Sequence, residues 1–270
     1  AGLSITGTTG GRTLVFSSAG LTSIVSGTVT ITAGAPTQMA VSAGNNQTAT
    51  AGSAVATAPS VVVHDVSNNP VSGVAVTFAV ASGGGSVLPV AAVNTNASGV
   101  AAATSWTLGA VAGANTLTAT AAPAGISPNP VVFAANGVPG GAGGLSITTQ
   151  PSATVINGAV LTQAPVVQVL DVNGNPVATP TSVAITVGIA AGPGGSLGGL
   201  TTVGTNASGQ ASFNGLSITG LAGAYTLQFT SPGLTGVSST GVNLTAGAPT
   251  QVAITTPPPA TAQSGIAMAP

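Results

Sequence analysis

Apolar and polar positions alternate along this chain in short runs with a period of two. Val74, Val76, Phe78 and Val80 are separated by small or polar residues, which places one apolar face on a single strand. The same alternation sets Val61 with Val63, Trp106 with Leu108, and Leu117 with Ala119 on inward faces. Met39 and Val41 share a face of an opening strand, and Val131–Ala135 reads as a closing one. Turn formers punctuate these runs at Asn68-Asn69-Pro70 and Gly83-Gly84-Gly85. No apolar spacing of three and four persists long enough to predict a helix.

The pattern then repeats. Val61-Val62-Val63-His64-Asp65-Val66-Ser67-Asn68-Asn69-Pro70-Val71 returns as Val167-Gln168-Val169-Leu170-Asp171-Val172-Asn173-Gly174-Asn175-Pro176-Val177. Thr95-Asn96-Ala97-Ser98-Gly99 returns as Thr205-Asn206-Ala207-Ser208-Gly209, and residues 2–41 resemble residues 215–254. Self-similarity at a fixed period marks an array of one structural unit. The expected layout is the C-terminal part of a module at 1–34, complete modules at 35–142 and 143–247, and the N-terminal strands of a further module at 248–270. Leu216 and Ile218, and likewise Leu3 and Ile5, match Trp106 and Leu108. Leu227 and Phe229, and likewise Leu14 and Phe16, match Leu117 and Ala119. The partial modules suggest a window on a longer array. The fold class expected is all-β, with sandwich modules of about 105 residues, enough to bury a small core each. Val76, Phe78, Trp106, Leu117, Leu227 and Phe229 are the expected core, and Phe78 and Trp106 the largest contributors to the first one.

Composition narrows the chemistry. Of 270 residues only Arg12, Asp65 and Asp171 are charged, with His64 the one histidine, and the formal net charge is −1. Nothing here could neutralise phosphates, which argues against nucleic acid and against electrostatic attachment to anionic membranes. Mean hydropathy is +0.60, yet Thr and Ser interrupt every apolar run, so no membrane-spanning helix is expected. Cysteine is absent, which removes disulfides, thiolate catalysis and Cys-based zinc sites. No cofactor is expected.

The run Val-x-Val-x-Asp-x-x-x-Asn-Pro-Val, followed by Val-x-Val-x-Phe, a Gly-rich turn and Thr-Asn-Ala-Ser-Gly, resembles bacterial immunoglobulin-like domain repeats of the invasin and intimin type. The resemblance covers residues 35–247 and part of each flank. It implies non-enzymatic stalk modules of extracellular adhesins and fibres at the bacterial cell surface. Such domains usually carry more charge than these modules do.

Each candidate site has a plain structural alternative. Calcium takes six to eight oxygen ligands, and one carboxylate per module is too few. Asp65 and Asp171 are instead expected to end their strands and bond the backbone of the turns that Pro70 and Pro176 close. His64 and its face-mate Val62 match Leu170 and Gln168, a mixture that marks an exposed outer face. Arg12 matches Asn115 and Tyr225; Tyr225 is expected to cap the core edge with its hydroxyl toward water, and Arg12 to bury its stem. The Ser and Thr residues have no positioned base, and no Lys follows the glycine runs as a phosphate loop requires. Four Asn-x-Ser/Thr sequons, such as Asn96-Ala97-Ser98, read as turn chemistry.

The function expected is therefore an extracellular structural protein whose tandem repeats form a stalk or filament. One alternative is an adhesin stalk with its ligand-binding domain outside this segment, which would also hold any host or cell-surface ligand. Another is a set of spacer modules in a secreted enzyme. With almost no charge to guard sheet edges, self-association into a filament or sheath is expected. The Ala33-Gly34-Ala35-Pro36 joint is expected to be stiff and the Gly-rich joint at 137–144 looser.

Overall fold

β-Branched and small residues in alternation, interrupted by Gly and Pro, leave the backbone no better partner than a neighbouring strand. The computed structural model describes residues 2–179 and 181–267, and all its regular elements there are strands. Four short ones open the chain: β1 (Gly10–Arg12), β2 (Val15–Phe16), β3 (Ile24–Val25) and β4 (Val29–Ile31). Ten follow: β5 (Pro36–Ala43), β6 (Gln47–Thr50), β7 (Ser60–Asp65), β8 (Ala75–Ser82), β9 (Gly85–Leu88), β10 (Val93–Asn94), β11 (Val100–Ala102), β12 (Ser105–Leu108), β13 (Gly113–Ala121) and β14 (Val131–Val138). The plan then recurs in β15 (Ala142–Thr149), β16 (Thr154–Ile156), β17 (Val166–Asp171), β18 (Ala184–Ala191), β19 (Gly195–Gly198), β20 (Thr202–Gly204), β21 (Gln210–Ser212), β22 (Ser217–Gly220), β23 (Gly223–Thr230), β24 (Val237–Ser238) and β25 (Val242–Thr245).

Two compact units emerge. One runs to Gly144 and takes in Val169–Val177; the other comprises Leu145–Gln168 and the residues from Ala178 onward. In the first, a sheet of order β10-β8-β13-β14-β6 faces a sheet of order β11-β7-β5, with the β9–β12 strand pair beside them. β6 runs parallel to β14, with Gln47 opposite Ala135, while the remaining pairs are antiparallel. The second set repeats this as β16-β25-β23-β18-β20 with β24 beside β23, β15-β17-β21, and the β19–β22 strand pair. Two antiparallel sheets joined in this order are an immunoglobulin-like β-sandwich.

The inward faces close over small cores. Val76, Phe78, Trp106 and Leu117 are buried with Met39, Val61, Val63 and Phe133 in the first unit. Phe78 and Phe133 lie 6.4 Å apart between ring centroids. In the second unit Leu227 and Phe229 are buried with Ile185, Leu216, Ile218 and Phe213. Phe213 packs its edge against Phe229 at 5.0 Å. Val41 stays exposed although Met39 beside it is buried, and the pairing of β5 with β7 shifts register between Val41 and Ala43.

Position 115/225 plugs the Gly-rich end of the β9–β12 or β19–β22 strand pair in two chemically different ways. Asn115 is buried; its Oδ1 accepts from Gly109 N at 3.0 Å and its Nδ2 donates to Gly113 O at 3.0 Å. Tyr225 is fully buried, and its hydroxyl donates to Leu221 O at 2.8 Å with Gly194 O also in reach. The hydroxyl is thus not turned toward water: Gly192, Gly195 and Gly220 let the backbone lie close against the Tyr225 side chain. Arg12, the equivalent in the N-terminal piece, is exposed and binds Thr8 instead of burying its stem. Tyr225→Phe should destabilise the second unit by about 1 kcal/mol, because the hydroxyl's part-buried bonds to the carbonyls of Leu221 and Gly194 are lost. Chemical denaturation of wild type and variant measures it.

Candidate functional site

Asp65 closes β7 and Asp171 closes β17. Each is followed by a four-residue turn in which one position needs a left-handed backbone. Asn68 (φ +62°) fills it in the first turn and Gly174 (φ +83°) in the second; these are the two residue types that tolerate that conformation best. The turn main chain closes on the aspartate: Asp65 N donates to Asn69 O at 2.9 Å, and Asp171 N to Asn175 O at 2.9 Å. Pro70 and Pro176 lie opposite His64 and Leu170 as isolated bridges, and the ladder resumes as Val71 N donates to Val63 O and Val177 N to Val169 O.

Both carboxylates are buried. Asp65 Oδ1 accepts from Ser67 N (2.9 Å) and Asn69 N (2.8 Å). Its Oδ2 accepts from Asn69 Nδ2 (2.9 Å) and Gly34 N (2.8 Å). Asp171 repeats the set with Asn173 N, Asn175 N, Asn175 Nδ2 and Gly140 N, all at 2.8–2.9 Å. A carboxylate offers about four lone-pair sites, so four donors saturate it. A metal ion would meet only N–H groups there. Among the described residues, no group of three His, Cys, Asp or Glu side chains comes together to hold one.

The asparagines carry the network outward. Asn69 Nδ2 also donates to Gly7 O at 2.9 Å, and its Oδ1 accepts from Thr9 N at 2.8 Å. Asn175 Nδ2 donates to Ala110 O at 2.8 Å, and its Oδ1 accepts from Ala112 N at 2.8 Å. Asn173 Nδ2 adds a bond to Ala51 O at 3.1 Å. Every residue of both sets belongs to the first unit. Each turn therefore grips its own strand end, the linker glycine before it, and a loop about 60 residues upstream. A cleft of about 190 Å3 lined by Ile5, Gly7, Ile31, Gly34, Asp65 and Asn69 marks the first of them. Gly140 N in the Gly-rich joint and Gly34 N in the Ala-Gly-Ala-Pro joint make the same bond to an aspartate.

The side-chain amide of Asn69 and the amides of Gly34, Asn69 and Ser67 hold the Asp65 carboxyl down from its ordinary 3.8 to about 2, against a smaller opposing effect of burial. For Asp171 burial is the largest single influence and pushes upward, but the bonds from Asn175, Gly140 and Asn173 together bring it to about 2. A carboxyl depressed in the folded state contributes its full stability above the unfolded value and loses it as pH falls through the folded one. Thermal melts should therefore be level from pH 9 to 5, then fall below about pH 4 and steepest toward pH 2. Asp65→Asn with Asp171→Asn should flatten that acid limb.

Outer-face residues differ from the sequence expectation. His64 is half-buried, not exposed. Gln168 is buried, with its amide donating to Ser208 O at 3.0 Å and Gly209 O at 3.3 Å, so the Thr-Asn-Ala-Ser-Gly turn covers that face. In those turns Asn96 Oδ1 accepts from Ser98 N and Val100 N, and Asn206 Oδ1 from Ser208 N and Gln210 N. No helix among the described residues is long and apolar enough to cross a membrane.

No curated protein matches the chain in sequence. The family model for the sixth immunoglobulin-like domain of SMCHD1 matches residues 144–245. Among solved structures, the chain is similar to FdeC, an Escherichia coli adhesin (17% identity over 81% of this chain and 68% of that one, TM-score 0.38). It is also similar to invasin, a bacterial integrin-binding protein (20% identity, 77% of this chain and 39% of that one, TM-score 0.33). A third is domains 5–6 of the S-layer protein SbsC (17% identity, 78% and 97%, TM-score 0.28). Strand order, inward faces and the matched domain agree: the chain is built of tandem immunoglobulin-like β-sandwich modules.

Proposed function

We propose that this chain is a non-enzymatic structural segment of an extracellular, cell-surface protein. Modules 35–142 and 143–247, with parts of further modules at 1–34 and 248–270, form a stalk or filament. The observation that carries this reading is the recurrence of one bond set at Asp65/Asn69 and Asp171/Asn175, each tying a turn to the linker and to an upstream loop. A chain selected for chemistry would hold reactive groups together; here the two carboxylates are taken up by main-chain and asparagine amides. Lateral association into a sheath is part of the proposal. Near-zero net charge leaves little repulsion between copies, and outer faces of Thr, Ser, Val and Ala can meet without desolvating charge.

Negative-stain images of the native material test the stalk: regularly beaded rods support it, and compact globular particles overturn it. Sedimentation of the chain at low salt and in 1 M salt tests the association, since salt screens charge contacts to about 3 Å but leaves apolar and hydrogen-bonded ones. Monomer throughout removes self-association. Assemblies that dissolve in salt remove its apolar basis.

A further inference from the structure

We propose that the Asp-Asn turn is a socket that reads only main chain, and so accepts any module of this fold as its upstream neighbour whatever that module's loop side chains. The inference rests on the structural reading above and names the partner within it.

The two occupied sockets supply the comparison. The loop held by Asn69 is Gly7-Thr8-Thr9, and the loop held by Asn175 is Ala110-Val111-Ala112. They share no residue, yet each offers a carbonyl at its first position and an N–H at its third, and the bond lengths agree within 0.1 Å (2.9 and 2.8 Å against 2.8 and 2.8 Å). The linkers differ too, Ala33-Gly34-Ala35 against Pro139-Gly140-Gly141, while the glycine N–H goes to the aspartate in both. Identity changes and bonding does not, which is what backbone readout means.

Asparagine suits the task because a carboxamide places a donor and an acceptor side by side, as a peptide group does. Bonding to the O of one residue and the N of the next but one is what a neighbouring strand would do. The aspartate fixes which way the amide faces. A carboxylate accepts only, so Nδ2 turns toward Oδ2 of Asp65 or Asp171, and Oδ1 is left for the loop. Asp at this position would bring two carboxylates together and lose the donor. The partner is thus another copy of the same module type, recognised by loop backbone shape.

Hydrogen exchange on the full 270-residue chain decides it. The readout is the protection of the linker amide, Gly140 N–H. Ala112→Ser changes the side chain and keeps the N–H, and protection should stay within about twofold. Asn175→Asp removes the donor, and Ala112→Pro removes the loop N–H; each should speed exchange at Gly140 by about tenfold or more. If Ala112→Pro does not fold, the Ser and Asp variants suffice. A second chain exchanges residues 35–140 with 141–247, so that Gly34 precedes Asp171 and Gly247 precedes Asp65. Both linker glycines should then be protected as in the native order. The socket is overturned if Ala112→Ser loosens Gly140 as much as Asn175→Asp does, or if the exchanged chain leaves its linker amides open. The two readings fail separately. Compact particles with protected linker amides would remove the stalk and leave the socket, and beaded rods with open linker amides would do the reverse.

Discussion

Phe229→Ala should cost the second unit about 3–5 kcal/mol, the range for truncating a fully buried phenylalanine. The ring is completely excluded from solvent. It stands on β23, whose backbone pairs Phe229 with Val187 on one side and with Val237 on the other. Phe213 meets it edge-on, so truncation removes the hydrophobic burial and also an aromatic pair. Collapse to fill the space is resisted because Phe229 sits in the middle of a sheet bonded on both sides. For a domain of this size, a loss on that scale lowers the melting temperature by on the order of 20 °C. Calorimetry of the whole chain should show the transition of the second unit moving down by that amount. A shift of only a few degrees would mean that Phe229 lies in a looser core than its burial implies.

Gly85→Ala is the second large effect, and its mechanism is different. Gly84 and Gly85 both have left-handed backbones, with φ +79° and +85°. A methyl group on either strains the backbone by roughly 1–2 kcal/mol. At Gly84 the nearest atom to such a methyl is Gly109 Cα at 3.8 Å, an ordinary contact. At Gly85 the methyl would overlap Thr107 O on the paired strand, with Leu108 C at 2.7 Å and Gly109 N at 2.9 Å. Backbone atoms cannot swing aside, so the β9–β12 pairing has to open. Gly85→Ala should therefore cost about 3 kcal/mol or more, adding overpacking to the strain, and Gly84→Ala about half that or less. Urea titrations of the two variants side by side check this. Equal losses would show that backbone strain alone governs the β9–β12 pairing.

The resemblance between repeats extends further in sequence than in burial. Leu3 and Phe16 match Leu216 and Phe229, yet they are 76% and 55% exposed, while their counterparts are buried. In the N-terminal piece the described strands pair only as β1–β4 and β2–β3. Alternation makes an apolar face; burial needs a second sheet to lie against it. Residues 248–267 repeat the opening of a module in sequence, but they carry no strand and are exposed. Phe133 and Phe213 show the opposite case. Both are fully buried core residues outside the expected core. Phe133 stood in the strand already read at Val131–Ala135, whereas Phe213 follows a three-residue strand too short to show a period.

What the sequence determined by itself is local. Period-two alternation, Gly and Pro punctuation and the internal repeat specify strands, turns and a modular all-β chain, because each depends on residues within a few positions of one another. It also identified the Asp-to-Pro segment as a turn, since Asp, Asn and Gly bond and bend locally. The tertiary structure alone decided where the rest of that turn reaches. Asn69 meets Gly7 and Thr9, and Asn175 meets Ala110 and Ala112, across 60 to 65 residues of chain. Because those partners are main-chain groups, which every residue carries, no residue type in the sequence could point to them. The same reason hid the burial of Tyr225 and Gln168, whose partners are also carbonyl oxygens. Side-chain patterns are written in the sequence, whereas a bond to backbone is specified only once the fold has brought that backbone near.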